Sequence, residues 1–186
     1  MMKTAFIHFA EGFEEIEALT IVDVLRRAGI DTKMVSVTGH RQVTGAHGIK
    51  IVTDIVFEDV NYNDSAIIVL PGGMPGSKNL QDHTGLAEVI KQKASANEPI
   101  AAICAAPMIL GQLGILNGKN AVCYPGFEEH LKGANIKNNL SIKSENIITG
   151  RGPGAAINFS LEIVKTLKGK ETANSLAQGM IVQTWH

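Results

Sequence analysis

The sequence predicts a single-domain α/β protein, an open doubly wound sandwich whose mainly parallel sheet lies between two layers of helices. Three observations predict it. Residues 66–70 and 100–103 are apolar without alternation, as strands covered on both faces must be. Stretches with helical spacing separate such runs from one end of the chain to the other. The length, 186 residues, suits one domain, and no segment reads as a linker, repeat or low-complexity tract.

Each element follows from its residues. Residues 4–9 form a short apolar run, a buried strand. A helix is predicted over 13–28, because Ala18, Ile21, Val22 and Leu25 sit at i, i+3, i+4 and i+7 and Gly29 is a natural stop. Residues 33–37 read as a second strand, and 48–56 alternate apolar and polar residues as an edge or antiparallel strand would. The strand over 66–70 closes abruptly on Pro71-Gly72-Gly73. A surface helix over 80–94 turns Leu86, Val89 and Ile90 inward, and the strand over 100–103 runs straight into Cys104. Helix is expected over 108–116, a strand over 121–124, a helical turn over 128–131 and a strand over 147–149. That last strand ends at Gly150-Arg151-Gly152-Pro153-Gly154. A helix over 155–167 places Ile157, Leu161, Val164 and Lys168 in one row, and 170–180 reads as one more helix.

Composition narrows the function. Lys and Arg number 17 against 18 Asp and Glu, a net charge of -1, which argues against nucleic acid or an anionic membrane as partner. With 45% hydrophobic and 19% charged residues the chain is not of the disordered class. No apolar run is long enough for a membrane span. The run that follows Met1-Met2-Lys3 is too short for a secretory signal. Two cysteines make no disulfide framework, so the expectation is a cytoplasmic protein with free thiols. The histidines at 8, 40, 47, 83, 130 and 186 show no metal-ligand spacing, G-x-G-x-x-G is absent, and residues 114–120 depart from a phosphate loop. Neither a metal nor a cofactor is expected.

Ligands of doubly wound sheets bind beyond the carboxyl ends of the strands, which singles out residues 10–17, 72–76, 104–107, 124–126 and 151–154. Cys104 follows a buried strand and precedes Ala105 and Ala106, the setting of a nucleophile elbow. A helix N-terminus there is expected to lower the thiol pKa. Glu17 shares a helical row with Ile21, Val24 and Ala28, all apolar, where a carboxylate is costly without a partner. Protonated by burial, it would donate to the Cys104 thiolate and act as general acid and base. Gly72 and Gly73 let backbone amides approach an oxyanion. Arg151, at a strand end, could bind an anion. On the residues alone, a structural cysteine, a solvated acid, a plain turn and a surface arginine remain alternative readings. Cys123 reads as structural.

Together these residues resemble the ThiJ/PfpI superfamily, and within it the branch of the Parkinsonism-associated deglycase. The matching stretches are Glu11-Gly12-Phe13-Glu14-Glu15-Ile16-Glu17, Asp23-Val24-Leu25-Arg26-Arg27-Ala28-Gly29, Leu70-Pro71-Gly72-Gly73, Ala101-Ala102-Ile103-Cys104-Ala105-Ala106-Pro107 and Arg151-Gly152-Pro153-Gly154. The resemblance implies a flavodoxin-like fold, a homodimer, a nucleophilic Cys104 that oxidises readily to sulfinate, Glu17 hydrogen-bonded to it, and Gly73 and Ala105 amides as oxyanion hole. Its activity would be cofactor-free conversion of methylglyoxal-like dicarbonyls, or their adducts on amines or thiols, to hydroxy acids. The alternative is an oxidative-stress sensor or chaperone-like protein without turnover. Three departures stand out. Ala105 replaces the His of protease-like members, so no peptidase triad is expected, and the G-x-C-x-G elbow of amidotransferases is absent. Tyr124 stands where many relatives carry a His. His47 stands where some carry an Arg beside Arg27, which implies a weaker, pH-sensitive anion site.

Overall fold

The structure is a computed structural model that describes residues 3–183 and 185; Met1, Met2, Thr184 and His186, on which parts of the reading above fall, lie outside the described residues. A seven-stranded sheet forms the middle layer. Its strands are β1 (Thr4–Phe9), β2 (Thr32–Ser36), β5 (Ile55–Val56), β6 (Ser65–Leu70), β7 (Ile100–Ile103), β10 (Ser141–Ser144) and β11 (Ile147–Gly150), in the order β10-β11-β7-β6-β1-β2-β5. Only the β10–β11 pair is antiparallel. Two-stranded sheets, β3 (Gln42–Thr44) with β4 (Lys50–Val52) and β8 (Asn120–Ala121) with β9 (Asn135–Ile136), stand apart from it.

The doubly covered sheet shows in the side-chain alternation. Ile67, Val69, Ala101 and Ile103 pack with α1 (Glu15–Arg27), α5 (Ala156–Lys168) and α6 (Lys170–Gly179). Ile68, Leu70, Ile100 and Ala102 pack on the opposite side, with α2 (Gly76–Asp82), α3 (Thr84–Ser95) and α4 (Pro107–Gln112). Successive residues of a strand point to opposite faces, so each apolar run feeds two cores.

Several boundaries differ from the sequence reading. The alternating stretch 48–56 is two strands. Buried Thr53 bends the chain by donating its hydroxyl to the carbonyls of Arg41 (3.0 Å) and Ile55 (3.3 Å), so β4 joins a hairpin and β5 becomes the parallel edge of the main sheet. The helix expected over 80–94 breaks at His83, whose Nδ1 caps α3 by accepting from the Leu86 amide at 3.0 Å. α4 stops at Gln112 because Gly114 adopts φ 72° and Ile115 N–H returns to the Leu110 carbonyl at 3.0 Å. Of the strand expected over 121–124 only Ala121 is in a strand, the two-residue β8 that starts at Asn120. On α5 the buried stripe runs through Phe159, Leu161, Ile163 and Val164, leaving Ile157 exposed. β3, β9 and β10 lie outside the predicted elements because each is short and half-exposed or, for β9, fully exposed.

Candidate active site

The carboxyl ends of β1, β6, β7 and β11 bring four of the five singled-out segments together around Cys104, and Tyr124 brings the fifth. The residue has φ 66°, the left-handed region that a side chain with Cβ rarely adopts. That conformation is held from both sides: Cys104 N–H donates to the Gly150 carbonyl and its own carbonyl accepts from Tyr124 N–H, each at 2.9 Å. A sharp turn between β7 and α4 results, with buried Ala105 and Ala106 leaving room for the bend. Such strain at a candidate nucleophile persists only where the surroundings over-determine it.

Glu17 reaches the same point from α1. It is 0% exposed, its Oε2 accepts from the Gly72 amide at 2.8 Å, and its Oε1 finds no regular hydrogen-bond partner. The carboxyl interacts with the Cys104 thiol. Burial pushes the Glu17 pKa up to about 7, against the hydrogen bonds from Cys104 and Gly72, and the nearby Glu14 charge adds to the rise.

Gly72 separates acid from thiol at close quarters. A Cβ there would lie 2.5 Å from both Cys104 Cβ and Glu17 Oε2, and 3.0 Å from the sulfur, so only glycine fits. Gly73 has φ 95° and packs against the backbone of Gly12, Phe13 and Glu14. The Glu14 amide donates to the Gly72 carbonyl at 2.9 Å, which ties this loop to the start of α1.

The Cys104 thiol does not follow the expectation of a lowered pKa. Burial comes first and the Glu17 carboxylate second in pushing it up, while the amides of Ala105 and Gly73 pull it down. The physical reason is that the thiol is only 9% exposed and shares its site with an acid, whereas α4, with six residues, offers a short dipole. Two buried acids at one point cannot both ionise cheaply. The pair therefore holds two protons below about pH 7, and one proton with one negative charge above it.

The sulfur lines a pocket of about 220 Å³ walled by Glu14, Gly73, Met74, Ala105, Tyr124, Phe127 and Pro153. Tyr124 is 46% exposed and meets the Phe127 ring edge-on, with centroids 6.4 Å apart. Glu14 and Met74 fall within the singled-out segments without an assigned role, and Phe127 lies outside them. The Gly12-Phe13 turn sets Glu14 against the Gly72 loop. Phe127 is three residues beyond Tyr124, a spacing that could have suggested a shared face.

Other expected site residues lie elsewhere. Arg151 lines an adjoining pocket of about 260 Å³ with Tyr124, Pro125, Leu140 and residues 152–155, rather than the Cys104 pocket itself. Arg27 pairs with Asp23 at 2.7 Å at one end of α1, while His47 pairs with Glu15 at 2.8 Å at the other. The helix holds the two about 18 Å apart, so one chain does not assemble an anion pocket from Arg27 and His47. Instead Glu14, Glu15 and His47 bring three ligand-type atoms within 4.8 Å of one another, a grouping without sequence spacing to reveal it. Cys123 is buried and unbridged, and burial foremost pushes it up to about 11.

Known proteins share this arrangement of chain and fold. The DJ-1/PfpI family model matches residues 2–166. Protein DJ-1 homolog A of Arabidopsis thaliana is 37% identical over 185 residues, covering 97% of this chain and 47% of that protein, so the chain spans about half the length of this relative. The glutathione-independent glyoxalase DJR-1.2 of Caenorhabditis elegans is 35% identical over 169 residues, covering 89% of each chain. The solved structure of oxidized Toxoplasma gondii DJ-1 superimposes with a TM-score of 0.92 at 33% identity, covering 97% of this chain and 99% of that one. Sequence and fold agree over nearly the full chain, and it belongs to the DJ-1/PfpI family.

Proposed function

We propose that the protein is a cofactor-independent glyoxalase or deglycase that converts methylglyoxal-like dicarbonyls, or their adducts on amines or thiols, to hydroxy acids. One observation carries the reading: a fully buried carboxyl with a bare oxygen and a pKa near 7 sits against a thiol held in a left-handed turn at the floor of a pocket. Among relatives, one named a glutathione-independent glyoxalase supports it.

The chemistry uses the single shared proton. Glu17 takes the thiol proton as sulfur bonds to the aldehyde carbon, and the amides of Gly73 and Ala105 hold the resulting oxyanion, each such donor being worth about 2.7–4 kcal/mol. Glu17 then moves protons on the hemithioacetal, so that hydrogen leaves the aldehyde carbon and returns to the former keto carbon. Water cleaves the thioester and restores the thiol. The net change is addition of one water. One carbon is oxidised and its neighbour reduced, so no outside oxidant is required. Tyr124 walls the pocket in place of an imidazole base. The reaction belongs in a reducing, cytoplasmic setting where a free thiol persists. Exposed Ile16, Ile49 and Val52, on α1 and the hairpin that packs against it, support a homodimer.

The test is lactate formation from methylglyoxal by wild type, Cys104→Ser and Glu17→Gln. Steady production by wild type, with about a hundredfold loss or more in both variants, is expected. Wild type no faster than Cys104→Ser would end the enzyme reading. The second reading, a redox sensor, is favoured by the oxidized state named for the Toxoplasma structure. It expects a stoichiometric gain of two oxygens on peroxide treatment, absent in Cys104→Ser.

A further inference from the structure

The pocket above Cys104 has one charged wall. Glu14 is the only acidic or basic side chain, beyond the thiol and the Tyr124 phenol, among the described residues that line it. Its side chain is 13% exposed, so water screens it poorly. Its charge is also poorly balanced. His47 Nδ1 lies 3.7 Å from Glu14 but 2.8 Å from Glu15, which claims it as hydrogen-bond partner. Arg151 opens on the neighbouring pocket behind Tyr124 and Pro153, and Arg27 is held by Asp23 at the far end of α1. The Glu14 field extends inward far enough to bear on Glu17. The remaining walls are apolar or aromatic, and the rings of Tyr124 and Phe127 offer faces that suit a neutral or cationic group.

We infer that Glu14 is a charge filter on the Cys104 pocket, admitting neutral electrophiles and carbonyl adducts of cationic amines while rejecting electrophiles that carry a carboxylate. For substrate choice this rests on the function proposed above: free α-oxoaldehydes and their amine adducts are accepted, and an anionic aldehyde such as glyoxylate is refused. The same carboxylate repels the hydroxy-acid anion on which the proposed reaction ends, which helps the product leave.

The filter can be read without turnover. Iodoacetamide and iodoacetate both alkylate a thiol: a sulfur–carbon bond forms, iodide leaves and the thiol proton passes to solvent. Only the second reagent is anionic. The rate ratio, amide over acetate, is measured at Cys104 by peptide mass and normalised to 2-mercaptoethanol under the same conditions. A ratio scale removes any change in overall thiol reactivity. Wild type should favour the amide by about tenfold. Glu14→Gln should bring that preference to within about threefold of the free thiol, and Glu88→Gln, a surface control on α3, should match wild type. A wild-type ratio within twofold of the free thiol, or a Glu14→Gln ratio equal to wild type, overturns the filter. So does a Cys104 that neither reagent labels. A filter that holds in a protein making no lactate removes the proposed enzyme and leaves the filter standing. Lactate formation with an unselective thiol does the reverse.

Discussion

Glu15 and Glu17 stand two residues apart in the first turn of α1, both withdrawn from water, and the protein treats them in opposite ways. Glu15 faces the β3–β4 hairpin. Its Oε1 accepts from the His47 amide at 2.7 Å and its Oε2 meets His47 Nδ1 at 2.8 Å. Burial raises its pKa, but the His47 ring and the hairpin amides together outweigh burial and hold it below the usual carboxylate value. Glu17 faces the rim of the sheet, where one amide and a thiol are all it finds, and burial wins. Both feel the same helix dipole, so the dipole does not decide between them. Through-space partners decide: the satisfied acid holds the hairpin in place, and the unsatisfied one is left with a proton to exchange.

The sharpest break of this comparison is to neutralise each acid in turn. Glu17→Gln should cost about a hundredfold or more in Cys104-dependent turnover while stabilising the fold at pH 8. The sign follows from linkage. A folded pKa of about 7 against an ordinary 4.5 means that folding is favoured by the bound proton below pH 4.5 and loses that contribution as pH rises through 7. The full window is worth about 3 kcal/mol, so chemical denaturation should find Glu17→Gln about 1–3 kcal/mol more stable at pH 8 and nearly equal at pH 4.5. A variant less stable at pH 8 would contradict the account. Gly72→Ala should come next. Its Cβ would press on Cys104 and on the Glu17 carboxylate, costing about 1–3 kcal/mol and separating acid from thiol, with turnover reduced at least about tenfold.

Glu15→Gln should move stability in the other direction from Glu17→Gln. Losing the charge at a site built around a carboxylate should destabilise by about 1–3 kcal/mol at pH 7. The Glu15 contribution is present above its ordinary pKa of 4.5 and disappears as pH falls through its lower folded value, so the difference between variant and wild type should narrow in acid. The smallest effect is kinetic. Alkylation of Cys104 by a neutral reagent should rise with a single step near pH 7 as the Glu17–Cys104 pair gives up the first of its two protons, and Glu17→Gln should remove that step. A wild-type profile flat from pH 6 to 8 would show that Glu17 does not titrate with the thiol.

Much of this protein is legible in the chain, unevenly. Runs such as Ile67-Ile68-Val69-Leu70 announce a doubly covered strand, and Cys104 after Ile103 announces a sharp turn with a candidate nucleophile at its tip. Glu17 betrays itself by its apolar helical row. The divided strand around Thr53 and the helix break at His83 escaped, because each depends on the hydrogen bonding of one side chain rather than on periodicity. Arg27 and His47, expected to work together, lie near opposite ends of α1, a separation that no sequence spacing reveals.

The sequence by itself determined the class of fold and the types of group at the strand ends, because hydrophobic period and turn chemistry are local properties. It also marked Cys104 and, through the family resemblance, Glu17 as candidate site residues. Only the tertiary structure decided that the thiol rises rather than falls in pKa, that Glu15 ionises easily while Glu17 resists, and that Glu14 charges the pocket wall. The reason is that desolvation and Coulomb interaction depend on which groups end up within a few ångströms, and those groups come from β6, β7, the hairpin and α1, segments far apart along the chain.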